Sequence, residues 1–145
     1  MNQRRLTFLL FYALAATAIA VLAGRPHWLP YYRLVNAGIG TQALVTQTSC
    51  ADHSTFSYRF TVGGQTIDGR GDAGYGNPPC GALRPGDQVE VVYLPSEPRT
   101  NLPGDPRERL SNETFGIVLA AVFLPLVLLV ILFLFLRRRK YQKEV

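Results

Sequence analysis

Ser54-Thr55-Phe56-Ser57-Tyr58-Arg59-Phe60-Thr61-Val62-Gly63-Gly64-Gln65-Thr66-Ile67-Asp68 is the stretch that decides how the middle of this 145-residue chain folds. Phe56, Tyr58, Phe60 and Val62 alternate with Ser57, Arg59 and Thr61, the period of a strand with one apolar face. Gly63-Gly64 follows, and two glycines between alternating runs predict a two-residue hairpin turn, because both positions tolerate positive φ. Counting outward from the turn pairs Val62 with Gln65, Phe60 with Ile67 and Arg59 with Asp68. The apolar pair falls on the core face and the charged pair on the opposite one. Pattern and turn therefore agree on one register, which a slip of one residue would invert.

Working outward, Gln88 to Leu94 reads as a second strong strand, entered by Pro85-Gly86-Asp87 and ended by Pro95, with Val89, Val91 and Tyr93 on one side. An earlier strand is expected over about Thr41 to Thr48 and a short last one around Arg99 to Leu102. Four or five short antiparallel strands over residues 40–102 define a small all-β domain, an SH3- or OB-like curled sheet or partial barrel. Residues 25–39 read as an interfacial linker. Residues 103–112 read as a second linker, stiffened by proline.

Beyond these linkers the composition changes abruptly. Leu6 to Ala23 and Phe115 to Leu136 contain no charge, and at 1.5 Å per residue they would extend about 27 and about 33 Å, against a hydrocarbon core of about 30 Å. Two transmembrane helices, over residues 6–24 and 113–136, are the natural reading, and a soluble globular protein is excluded. The middle segment has room for one small domain and none for a large enzyme core.

Charge assigns a topology. Arg4, Arg5, Arg137, Arg138, Arg139, Lys140 and Lys143 stand outside the two runs, opposed by Glu144, whereas the middle carries eight arginines against nine acids. The positive-inside rule places residues 1–5 and 137–145 in the cytoplasm and the β-domain across the membrane, in the periplasm if the host is the bacterial inner membrane. Basic clusters beside apolar helices meet lipid headgroups, so no nucleic-acid partner is expected. Trp28, Tyr31 and Tyr32, just past the first span, read as an interfacial anchor, with a binding patch as the rival reading. A cleaved signal peptide is the rival for the first span, since Ala18-Ile19-Ala20 has the spacing of a processing site; an apolar run reaching Ala23 is long for that role.

Small residues recur every four positions at Ala16, Ala20 and Gly24, and again at Gly116 and Ala120, which lets helix backbones approach closely. A packed helical hairpin follows, with the Leu/Val/Phe-rich remainder of the second span left for lipid, another membrane protein or a second copy. Pro125 removes a helical hydrogen bond and predicts a kink. Cys50 and Cys80 lie in the outer segment. In an oxidising compartment a disulfide is expected, closing a loop of about 30 residues worth on the order of 3 kcal/mol by chain entropy; in a reducing one they would be two free thiols.

Three spellings suggest chemistry and fail their context. Gly69-Arg70-Gly71-Asp72-Ala73-Gly74 matches G-x-G-x-x-G, yet Gly76-Asn77-Pro78-Pro79 follows where a helix should open, so a flexible glycine loop is expected. Asp52, His53 and Ser54 are consecutive and cannot converge as a triad on an extended chain. Asn112-Glu113-Thr114 spells a glycosylation sequon but reads better as a cap on the second span. No Cys/His set has metal spacing. No catalytic residue, cofactor or metal is expected.

Tyr75-Gly76-Asn77-Pro78, Leu83, Gly86-Asp87, Val89, Val91, Tyr93-Leu94-Pro95-Ser96, Pro98, Gly104-Asp105-Pro106 and Asn112-Glu113 together resemble the bacterial membrane proteins of the domain-of-unknown-function family numbered 3592. The likeness covers about Gly40 to Glu113. It implies a small extracytoplasmic β-domain with flanking helices and brings no activity with it. The function expected from the residues is that of a non-enzymatic accessory or interaction protein in a membrane complex. An envelope sensor or peptide-binding module is the alternative, and an outer-face hydrolase the more distant one.

Overall fold

The structure is a computed structural model and describes residues 3–141. Helix α1 (Gln3–Ala23), a π-helical turn (Gly24–Trp28) and helix α2 (Leu29–Ala37) precede strands β1 (Ile39–Ser49), β2 (Thr55–Val62) and β3 (Gln65–Asp72). A single 3-10 turn (Cys80–Ala82), strands β4 (Gln88–Leu94) and β5 (Glu97–Pro103), and the long helix α3 (Pro106–Tyr141) complete the chain. It divides into two compact units: His27–Asn112, and the residues up to Pro26 together with those from Glu113 onward.

In the β-unit the sheet order is β3-β2-β1-β4-β5, and every paired neighbour is antiparallel. β1 is shared: Ile39 to Leu44 pair with β4, and Leu44 to Ser49 pair with β2 across an irregularity between Val45 and Gln47. β3 and β5 therefore run in the same direction as β1 and as each other, and the curled sheet brings them together as a seam. The β2–β3 register pairs Val62 with Gln65, Phe60 with Ile67 and Arg59 with Asp68, with Gly63 and Gly64 at φ 59° and 78° in the turn. Ala43, Val45, Phe56, Tyr58, Phe60, Ile67, Leu83, Val89 and Val91 form the core. Alternation on three strands delivers them to one concave face.

Several expectations need correction. Residues 25–39 are largely helical: α2 carries its proline in the first turn and buries Leu34. Pro30 is at home there, where no helical N–H is needed. The same misreading affects residues 103–112, because α3 begins at Pro106 and Asp105 caps it, its Oδ1 accepting from the Arg107 N–H at 2.8 Å. Asn112 is thus inside the helix and caps nothing. The stretch expected as a glycine loop is mostly β3, with Gly69 and Gly71 within the strand.

In the other unit α1 and the apolar part of α3 are long and apolar enough to cross a membrane, and almost none of that surface is covered within the protein. The partly covered positions of α1 include Tyr12, Ala15, Ala16, Ile19 and Ala20; on α3 they include Ile117, Ala120 and Ala121, with Pro125 buried. Each set follows the i, i+3, i+4 spacing of one helical face. The Tyr12 hydroxyl donates to the Val122 carbonyl at 3.0 Å, in the turn that Pro125 loosens by withholding an N–H from the carbonyl of Ala121. The phenol proton thereby finds an acceptor one residue from the carbonyl that Pro125 leaves without a donor, which matters wherever water is scarce.

Candidate functional site

The β3–β5 seam is where polar side chains gather. No ladder closes it, so close packing and side-chain bonds must. A Cβ at Gly71 would stand 2.2 Å from Pro103 Cγ, and one at Gly69 2.4 Å from the Tyr58 ring. Glycine is what lets β3 approach both. Asn77 Nδ2 donates to the carbonyls of Gly74 and Pro103, both at 3.0 Å. The Asp105 N–H donates to the Tyr75 carbonyl at 2.6 Å, and a Cβ at Gly104 would collide with that same oxygen. Tyr75 takes φ 54°, a left-handed conformation rare for a bulky residue.

That conformation sets the Tyr75 ring beneath the first turns of α3. The Arg109 guanidinium lies 4.5 Å from the Tyr75 ring centroid and 5.7 Å from that of Tyr31, and its Nη1 is 3.0 Å from Asp72 Oδ2. Asn112 Nδ2 donates to the Tyr75 hydroxyl at 3.1 Å. On the strand side Arg70 bonds Asp52 and donates to Thr55 Oγ1 at 2.8 Å. Across the barrel the Tyr58 hydroxyl donates to Asn101 Oδ1 at 2.6 Å, and burial pushes the Tyr58 pKa well above the usual phenol value. The cluster combines fixed positive charge, aromatic faces and hydroxyls. Within it the Asp72 carboxylate is paired with the Arg109 guanidinium.

The residues singled out from sequence fall in three places. Cys50 and Cys80 are bonded, with Cα atoms 5.5 Å apart, and tie the β1–β2 turn to the segment after β3. Trp28 stacks on Tyr32 with ring centroids 4.7 Å apart, while Tyr31 belongs to the Arg109 cluster. Ala16, Ala20 and Ala120 lie on partly covered helix faces, whereas a Cβ at Gly24 or Gly116 would meet nothing within 4 Å among the described residues. His53 and Ser54 form an exposed turn at φ 52° and 55°; the Asp52 carboxylate faces Arg70. Among the described residues no three of His, Cys, Asp or Glu gather as a metal site.

Sequence reasoning missed Tyr12, Asn77, Asn101 and Arg109. Asn77 and Tyr75 stand among the residues that carry the family resemblance, as do Gly104, Asp105 and Asn112. In the structure Asn77, Tyr75 and the Asp105 backbone tie the segment after β3 to the end of β5, while the Asp105 side chain and Asn112 serve the start of α3. Compared with models of protein families, with curated proteins and with solved structures, the chain matches none.

Proposed function

We propose that this protein is a two-pass membrane anchor with both termini in the cytoplasm, holding an OB-like β-domain on the oxidising side. It serves there as a non-enzymatic accessory component of a membrane protein complex. The observation that carries this reading is the pairing of two long apolar helices, almost wholly uncovered within the protein, with a disulfide-bonded domain between them. Exposed apolar helix surface needs lipid or another helix. The Leu/Val/Phe-rich side of α3 is the face offered to a membrane partner or a second copy. With the bacterial inner membrane as host, the domain stands in the periplasm.

A sensor or peptide-binding module is the second reading, favoured by the cleft at the seam. Strand addition is the weaker form of it, because β3 and β5, the edges a peptide would use, face each other. Photo-crosslinking from Leu14 and from Phe133, both exposed, tests the first reading in cells. A discrete adduct with one membrane protein, or with a second copy, is expected. Adducts with lipid alone from both positions would contradict an accessory role.

A further inference from the structure

The outermost strands of the sheet face each other, but one edge inside the sheet stays open. β1 and β2 pair from Ser49 with Thr55 back to Leu44 with Arg59, and the pairing ends there. Had it continued, Gln42 would stand opposite Thr61. Instead residues 39–43 pair with β4 alone, and Phe60, Thr61 and Val62 pair with β3 alone. Where the two strands part lies a notch of about 440 Å³, whose lining includes Gln42, Leu44, Arg59, Phe60, Thr61 and Thr66.

Alternation decides which backbone groups face that notch. The Val45 N–H donates to the Asp87 carbonyl and the Val45 carbonyl accepts from the Gly86 N–H, both at 2.8 Å. Val45 therefore bonds toward β4, and on the same alternation so do Ala43 and Thr41. Gly40 and Gln42 turn their N–H and carbonyl groups the other way, to the notch. On the opposite wall the two-glycine turn makes Val62 exchange bonds with Gln65, so Val62 and Phe60 bond toward β3 and the Thr61 backbone faces the notch. Donors and acceptors left open along a strand are a template for another extended chain.

Side chains mark the same stretch. Among the described residues the sheet exposes two large apolar side chains, Ile39 at 52% and Leu44 at 50%. Both stand on β1, at the two ends of the length that pairs with β4, and odd and even positions of a strand point to opposite faces. A strand added here would meet an apolar side chain on each face. A second copy offers the same edge inside the same notch, beside its own β2–β3 hairpin, so a single extended segment suits the site better than the edge of another folded barrel.

We infer that this notch binds an extended peptide segment, which adds as a strand to β1 along Gly40 and Gln42 and lays apolar side chains against Ile39 and Leu44. The inference rests on the peptide-binding reading above and gives it an edge away from the seam.

The test uses the full chain in phosphatidylcholine nanodiscs and a fluorescein-labelled, end-capped peptide, Lys-Val-Thr-Val-Thr-Val-Lys. Its control is Lys-Val-Thr-Pro-Thr-Val-Lys, whose central residue has no N–H to pair. The expected result is a saturable anisotropy change with the first peptide, weaker by about tenfold or more with the control and in Leu44→Glu. It should be unchanged in Arg70→Gln at the seam and accompanied by slowed amide exchange in residues 39–44. Equal binding of the two peptides overturns the inference. Binding that Arg70→Gln weakens and Leu44→Glu leaves intact also overturns it, while the peptide-binding reading stands at the seam. Absence of saturable binding overturns the inference and that reading together; if a wild-type dimer that Leu44→Glu dissolves is then seen by native mass spectrometry, the notch belongs to a second copy. Melting temperatures within about 2 °C of wild type verify the fold of both variants. If Leu44→Glu melts lower, Gln42→Pro, which deletes an N–H facing the notch and none facing β4, takes its place with the same expected loss.

Discussion

The β2–β3 hairpin and the β3–β5 seam share a strand and are held by opposite means. The hairpin is local: a two-glycine turn sets a register, and eight consecutive residue pairs follow it, from Thr55 with Asp72 to Val62 with Gln65. The seam joins residues about 30 positions apart without a ladder, through Gly71 against Pro103, the Asn77 amide and the Arg109 guanidinium. In the hairpin many weak choices repeat one instruction. In the seam a few residues each do something no neighbour duplicates, so single substitutions there should cost more.

The largest expected effect comes from the staple that holds the β1–β2 turn to the segment leading out of the seam. Cys50→Ser with Cys80→Ser should lower stability by about 3 kcal/mol, read as a fall in the denaturant midpoint of the detergent-solubilised protein. Gly71→Ala should follow at about 2 kcal/mol, since the new methyl overlaps Pro103 and either strand must yield. Asn77→Ala should cost about 1 kcal/mol, because the part-buried Pro103 carbonyl loses its donor across the seam. Arg59→Ala in the hairpin should leave the denaturant midpoint nearly unchanged, because its pair with Asp68 is exposed on both sides. A hairpin ion pair that mattered as much as Asn77 would erase the contrast between the two regions.

Tyr58 sharpens the same contrast through pH. Its folded-state pKa is raised by burial, so the neutral phenol contributes stability that is fully present below the unfolded value of about 10 and is lost progressively as pH rises above it. Tyr58→Phe should remove that alkaline slope while costing about 1 kcal/mol at neutral pH for the bond to Asn101.

How much of this was legible followed the same division. The hairpin register, strand β4, the bonded cysteines and the two long apolar helices were readable because each is written in adjacent residues or in gross composition. The seam was not. Gly69 and Gly71 read as loop residues, although they are strand residues whose missing side chains make room for Tyr58 and Pro103. Pro106 read as stiffening a linker, although it opens α3. Tyr31 read as a membrane anchor, and Arg109 as one arginine among eight; nothing in either neighbourhood tells of a partner many residues away. Glycine and proline carry their meaning in φ and in close approach, which only the assembled fold supplies.

The claim on which the functional reading depends is the position of the β-domain across a membrane. Ser96→Cys, in the exposed β4–β5 turn, and Gln142→Cys near the other end of the chain are labelled in intact spheroplasts with a membrane-impermeant maleimide, before and after permeabilisation. Labelling of Ser96→Cys in intact spheroplasts and of Gln142→Cys only after permeabilisation is the expected result. The reverse pattern, or protection of both sites until the membrane is opened, would contradict it.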